Sequence, residues 1–207
     1  MDKCDFLIIG GEIIGISIAR ELKKRYPRKT LLLIEKEKGC GLHASGLNSG
    51  VLHAGFYYTA DSFKAKFTQA GNQRLTEYCE SRNIPVNKCG KLVVAQNQFE
   101  LSQLDKLMVR AKNNNVPLET ITEEEAKAIE PRVKTFKRAL FSPTTSSVNS
   151  SQVVQAMFDD ANQEGLKLHR GVRYLKRTGK AIIKTTHGNI EFGYMVNSAG
   201  LYADKIA

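Results

Sequence analysis

Short apolar runs bounded by glycine, alternating with stretches at helical spacing, dominate the first part of this chain. Asp5-Phe6-Leu7-Ile8-Ile9 ends at Gly10-Gly11, the pattern of a strand buried in a parallel sheet. From Ile13 to Arg25, Ile14, Ile18 and Leu22 recur at fourfold spacing, which predicts an amphipathic helix ended by Pro27. Thr30 to Ile34 reads as a second buried strand, so the opening residues predict one βαβ unit. Residues 39–60 are rich in Gly, Ser, Asn, His and Tyr and show no period. A polar loop of that length inside a domain is usually functional or disordered.

Beyond the loop, Asp61 or Ser62 can cap a helix running to about Arg82, with Phe63, Phe67, Ala70 and Arg74 along one stripe. Lys91 to Ala95 reads as a strand, and Leu101, Leu104, Met108 and Ala111 mark another helix. Thr122 with Glu125 forms a capping box for a short helix that Pro131 stops. Ser142 to Ser151 looks like a connection. Val153, Val154, Met157, Phe158 and Ala161 then form a helical face closed by Gly165. Strands follow near Lys167 to Val172 and Ala181 to Thr186, then a turn at Gly188-Asn189 and a strand near Ile190 to Asn197. No internal repeat is visible. The fold class is α/β.

Composition narrows this picture. With 42% hydrophobic residues in 207, the chain is an ordinary globular protein, long enough for one large domain or one domain and part of another. Its longest apolar runs, Phe6 to Ile9 and Leu31 to Ile34, fall far below the roughly 20 residues of a membrane helix. Charges alternate with apolar residues from Asp2 onward, so neither a signal peptide nor a membrane span is expected. Cys4, Cys40, Cys79 and Cys89 match no zinc or iron–sulfur spacing, which predicts no metal site and free thiols in a reducing compartment.

The formal charge of +10 is diffuse. Lys23, Lys24, Arg25, Arg28 and Lys29 form one patch, and Arg170, Arg173, Lys176 and Arg177 another. Neither is interleaved with aromatics as a single-strand binding platform would be, so a solvated surface is expected and no nucleic acid.

The candidate chemistry begins between the first strand and helix. Gly10-Gly11-Glu12-Ile13-Ile14-Gly15 has the spacing of the dinucleotide fingerprint G-x-G-x-x-G, and Glu35 follows 20 residues after Gly15. The helix would aim its first amides at a diphosphate, and Glu35 could accept from a ribose hydroxyl. The middle glycine is Glu12, however, and glutamate adds bulk and a like charge where the backbone should approach phosphate. The plain alternative is a βαβ unit whose glycines only shape a tight turn.

The loop Ser45-Gly46-Leu47-Asn48-Ser49-Gly50-Val51-Leu52-His53-Ala54-Gly55-Phe56-Tyr57-Tyr58 extends the pattern. So does Val196-Asn197-Ser198-Ala199-Gly200-Leu201-Tyr202-Ala203-Asp204 at the far end. Together with the fingerprint, they resemble the FAD-dependent oxidoreductases of the D-amino-acid-oxidase-like family. Within it they are most similar to the branch acting on L-2-hydroxyglutarate. Further matches are Ser62-Phe63-Lys64-Ala65-Lys66, Cys89-Gly90-Lys91-Leu92-Val93-Val94-Ala95, Glu130-Pro131 and Ser142-Pro143.

The resemblance implies a Rossmann-like FAD-binding domain (1–88 and 150–207) with part of an α+β substrate-binding domain inserted at 89–149. It implies FAD contacts from Gly10, Gly11, Ile14, Gly15, Glu35, Lys36, Ser45, Asn48, Ser49, Gly50, Val172, Ala199 and Gly200. It implies oxidation of L-2-hydroxyglutarate, or a similar small 2-hydroxy acid, to the 2-oxo acid, with hydride passing to the flavin. Oxygen or a membrane quinone would take the electrons, in the cytoplasm or peripherally on the inner membrane. His53, with an imidazole pKa of about 6.5 in water, is the candidate base for the hydroxyl proton; its alternative is a packing or flavin-orienting ring. Lys64 is either an attractor of a dicarboxylate or a solvated helix lysine. Tyr57 and Tyr58 line a pocket or simply pack. His43, His169 and His187 have no partner pattern and are expected at the surface.

Two departures stand out: Glu12, and Ser146 where relatives usually carry glycine. Relatives are also about twice as long, so an N-terminal fragment or a shortened gene is expected. Two further readings stay open: an amine or amino-acid oxidase of the same fold, and a non-catalytic remnant or a subunit completed by a second polypeptide. An NAD-dependent dehydrogenase would not require the flavin-type loop.

Overall fold

The computed structural model describes all 207 residues, and their contacts divide them into two units: 1–48 with 150–207, and 49–149. The first unit opens with β1 (Asp2–Ile9), α1 (Ile13–Arg25) and β2 (Leu31–Glu35). All five residues of β2 are buried, as its apolar run requires. Of the fourfold stripe, Ile18 and Leu22 pack partly buried against the core, but Ile14 does not. Gly15, Ile16 and Ala19 are buried, while Ile14 is 61% exposed. Small residues let α1 lie close to the sheet, and a count of large apolar side chains passes over them. Lys23, Lys24 and Arg25 occupy its last turn, where cations complement the helix dipole.

The second unit carries β3 (Val51–Leu52), α2 (Phe63–Ser81), β4 (Val86–Asn87), β5 (Lys91–Val94) and α3 (Gln98–Asn113). It continues with β6 (Glu119–Thr122), α4 (Glu123–Ile129), β7 (Arg138–Ser142) and β8 (Ser146–Val148). Two antiparallel sheets result, ordered β3-β8-β4 and β5-β7-β6. Ser62 caps α2 by accepting the Ala65 N–H at 3.1 Å, whereas Asp61 sits outside the helix at φ 62°. The predicted stripe on α2 is corrected: Phe63 and Phe67 are 77% and 71% exposed, and Ala65 and Cys79 are its buried residues. Thr122 and Glu125 do form the capping box. Leu101 and Leu104 of α3 pack with Ala95 and Leu140. The boundary expected at 88/89 falls inside this unit, because β4 pairs with β8.

The chain returns to the first unit through α5 (Ser150–Gln163), β9 (Lys167–Arg170), β10 (Tyr174–Gly179), β11 (Ile182–Thr185) and β12 (Gly188–Asn197). A 3₁₀ turn at Gly200–Lys205 ends it. The six-stranded sheet has the order β10-β11-β12-β1-β2-β9. β1 runs parallel to β2 and β12, β2 runs parallel to β9, and β10 and β11 are antiparallel. One face buries Leu7, Ile9, Leu32, Ile34 and Phe192; the other buries Ile8, Leu31 and Leu33 under Ile16, Ala19, Val154 and Phe158 of the helices. An ion pair of 3.1 Å between Arg20 and Asp160 ties α1 to α5.

Candidate functional site

In the first unit, β1, β2 and β12 run the same way and end together, with Ile9 in register with both Ile34 and Asn197. Just past these carboxyl ends opens a cavity of about 640 Å³. Open α/β sheets take ligands at this edge. Gly10, Glu35, Lys36, Val172, Ala199 and Gly200 line the cavity, joined by Glu12, His43, Arg173 and Tyr202.

The glycine turn brings bare backbone to the cavity wall. Gly10 has φ +110°, and a Cβ there would sit 2.5 Å from the Ser198 carbonyl oxygen. A Cβ on Gly15 would collide with the Gly10 carbonyl. Ser198 clamps the turn: its N–H donates to Ile9 O at 2.9 Å, and its hydroxyl to Ile9 O at 2.9 Å and Gly10 O at 3.2 Å. Sequence reasoning placed Ser198 in a motif but gave it no role.

Glu35 ends β2 with 5% of its surface exposed. Its Oε2 accepts the Gly11 N–H at 2.6 Å and its Oε1 the Glu37 N–H at 2.9 Å. Each carboxylate oxygen retains a second lone pair, so Glu35 can accept a hydroxyl from the cavity as well. Its charge, after burial itself, holds the neighbouring Cys40 thiol up at about 11. Lys36 lies 4.6 Å over the Tyr202 ring and pairs with Glu37 at 2.6 Å, which raises its pKa. His43, expected to lack partners, lies exposed on the cavity rim with Nε2 3.0 Å from Glu37 Oε1. No signal in the sequence pairs residues 37 and 43.

Glu12 does not point at a helix amide as a capping side chain would. Its Oε1 accepts the His43 N–H at 3.0 Å and its Oε2 the Ser45 N–H at 2.8 Å. The Ser45 hydroxyl in turn accepts the Ile13 N–H at 3.1 Å.

The remaining expected contacts spread out. Gly11, Gly15 and Ser45 stand behind the wall as supports. Asn48 braces the loop through the Ala44 and Ser45 carbonyls, at 3.0 and 2.7 Å. Ile14 faces outward on α1. Ser49, Gly50 and His53 belong to the second unit, where Gly50 takes φ +66° and accepts the Val148 N–H at 2.9 Å.

His53 itself is exposed, yet partial burial and the Lys91 ammonium hold its imidazole below the ordinary 6.5. Its backbone is fixed by Asn72, whose amide donates to Leu52 O at 2.9 Å, His53 O at 3.3 Å and Thr144 O at 3.2 Å. Asn72 escaped the sequence reading because nothing local marks a helix residue that reaches a strand 20 residues away. Tyr57 packs 4.3 Å from the Phe56 ring, with Lys91 4.7 Å above it. Lys64 lies 4.7 Å over the Tyr58 ring. No helix is long and apolar enough to cross a membrane.

A glycine turn, a buried acid at the end of β2 and a third approach at Ala199-Gly200 converge on one cavity. The DAO family model, described as FAD dependent oxidoreductase, matches residues 5–207. The chain belongs to this family of FAD dependent oxidoreductases. It is 36% identical to the mitochondrial L-2-hydroxyglutarate dehydrogenase of Nematostella vectensis, over 98% of this chain and 48% of that protein. Against the L-2-hydroxyglutarate dehydrogenase of Escherichia coli strain K12 the identity is 34%, over 98% and 49%. The chain thus spans about half the length of the curated relatives it matches. Among solved structures of this FAD dependent oxidoreductase fold, glycine oxidase from Geobacillus kaustophilus superposes with a TM-score of 0.89 at 23% identity, covering 100% of this chain and 58% of that one. L-α-glycerophosphate oxidase from Mycoplasma pneumoniae gives 0.86 at 24% identity, covering 99% and 56%.

Proposed function

We propose that the cavity of the first unit holds FAD and that the chain supplies the cofactor-binding part of an enzyme oxidising L-2-hydroxyglutarate, or a similar small 2-hydroxy acid, to the 2-oxo acid. The observation that carries this reading is Glu35: a buried carboxylate on the wall of the cavity, held by the backbone of the glycine turn. A ribose hydroxyl donating to Glu35, with Gly10 allowing close approach of the diphosphate, fits the groups present. Bound there, the flavin would supply the hydride acceptor.

His53 is the proposed base for the substrate hydroxyl. Its lowered pKa keeps the imidazole neutral, and therefore able to take a proton, at pH 7. Asn72 is the proposed positioning residue, since it fixes the His53 backbone. Oxygen or a membrane quinone is the proposed electron acceptor, and the cytoplasm, or a peripheral position on the inner membrane, the proposed place of work. The non-catalytic alternative has one observation in its favour, the Glu12 carboxylate on the amides of the 43–45 loop.

The test is retention of flavin. Chain mixed with FAD and passed over a sizing column should carry flavin absorbance in the protein peak, and Glu35→Ala should carry clearly less. Removing Glu35 also strips the buried Gly11 amide of its acceptor, at a cost of about 1–3 kcal/mol, and the part-buried Glu37 amide of its own. Urea unfolding of both proteins therefore separates lost binding from lost folding. Equal retention by a folded Glu35→Ala protein would remove Glu35 from the site.

A further inference from the structure

We infer that Glu12 is a built-in anion that occupies two backbone amides at the cavity rim, His43 on its lining and Ser45 just behind it, so that a diphosphate ligand must displace it to bind. The inference rests on the FAD reading of the cavity and concerns how the chain regulates access to that site. One carboxylate spans two backbone donors, His43 N–H at 3.0 Å and Ser45 N–H at 2.8 Å, as two oxygens of a phosphate would. Glu12 and His43 both line the cavity, and Glu12 is the N-cap residue of α1, beside the helix end that favours anions. Each carboxylate oxygen of Glu12 is held by a loop amide rather than by a lysine or arginine.

Two consequences follow for a ligand. A phosphate arriving at this rim finds both donors taken, and it meets a like charge. A nucleoside without phosphate meets neither obstacle, because Glu35 and the glycine turn remain open to it. Glu12 therefore sets the preference of the cavity against diphosphates while leaving its recognition of the sugar untouched. It also keeps the 43–45 loop ordered when no cofactor is bound.

The test uses the full chain, with Glu12→Gly and with Glu12→Gln, which keeps the length and one acceptor oxygen but removes the charge. Amide hydrogen exchange without any ligand should show His43 and Ser45 protected in the parent and unprotected in Glu12→Gly. Titrations with FAD, ADP and adenosine should show FAD and ADP binding at least tenfold tighter to Glu12→Gly, Glu12→Gln in between, and adenosine unchanged. Deprotected amides without a gain in FAD affinity would overturn the inference and leave Glu12 a loop anchor. A fall in FAD and ADP affinity would also overturn it, because the carboxylate would then be organising the site. An equal gain for adenosine would mean that bulk rather than charge is relieved, and it would overturn the anion reading. Failure of all three proteins to bind any of the three ligands would instead bring down the FAD reading of the cavity, and this inference with it.

Discussion

His53 shows how much a single side chain owes to its neighbours. Free imidazole is about half protonated near pH 6.5, a poor state for a base. Here partial burial disfavours the charged form, and the Lys91 ammonium adds repulsion in the same direction. The fraction able to accept a proton at pH 7 rises accordingly. We expect the His53 ring protons, followed by NMR, to titrate below pH 6.5, and Lys91→Met to move that midpoint upward. A midpoint unmoved by the substitution would remove Lys91 from the account. Because the folded pKa is the lower one, the unfolded chain binds more protons in this window, and stability should decline as pH falls below about 6.5. If His53 is the base proposed above, the rate should rise with pH through the His53 midpoint, because a base must be unprotonated to accept a proton. The sequence made His53 visible as a candidate, but Lys91, 38 positions away, could enter only through the fold.

Elements were legible wherever one local signal sufficed. The runs Phe6 to Ile9 and Leu31 to Ile34 announced buried parallel strands, and Thr122 with Glu125 announced the start of α4. That box is complete, with the Thr122 hydroxyl accepting the Glu125 N–H at 3.2 Å and the Glu125 carboxylate accepting the Thr122 N–H at 2.7 Å. We expect Thr122→Ala to destabilise the second unit by about 1 kcal/mol, read as a shifted urea midpoint at unchanged slope. A loss near zero would mean that water satisfies the freed amide. Other elements left little trace. β3 and β4 are two residues each, too short for any period. β10 carried its basic residues into a patch instead of a strand; it is an edge strand with Lys176 and Arg177 exposed, and such charges discourage edge-to-edge pairing. On α1 and α2 the error lay in the stripe. Counting large apolar residues selected Ile14, Phe63 and Phe67, which are exposed, and passed over the buried Gly15, Ile16, Ala19 and Ala65, while Ile18 and Leu22 do pack against the core. At the site, the glycines, Glu35 and Ala199-Gly200 were legible as motif. The clamp by Ser198 and the turn of Glu12 onto residues 43 and 45 were not, because both join segments remote in sequence.

For the molecule as a whole, the decisive quantity is its extent relative to its family. The matches to curated relatives cover 98% of this chain yet only about half of theirs. Several large apolar side chains stand in solvent: Phe63 and Phe67, stacked with centroids 5.9 Å apart at 77% and 71% exposure, and Leu47 and Leu201 at 79% and 97%. Phe63 and Phe67 form an apolar pair on α2, the kind of surface that marks a covered interface or an association site. Hydride transfer tolerates little misplacement of the reacting carbon, and a site open to water loses that geometry. We therefore expect the 207-residue chain alone to reduce no dye with L-2-hydroxyglutarate, and to self-associate more than Phe63→Ser with Phe67→Ser does. Co-expression with the C-terminal half of a relative should restore turnover and suppress the association. Robust dye reduction by the chain alone would establish that residues 1–207 already hold every group the reaction needs. Failure of the second half to restore turnover, with FAD bound, would place the defect in the chain itself, and Glu12→Gly would be the first substitution to combine with it.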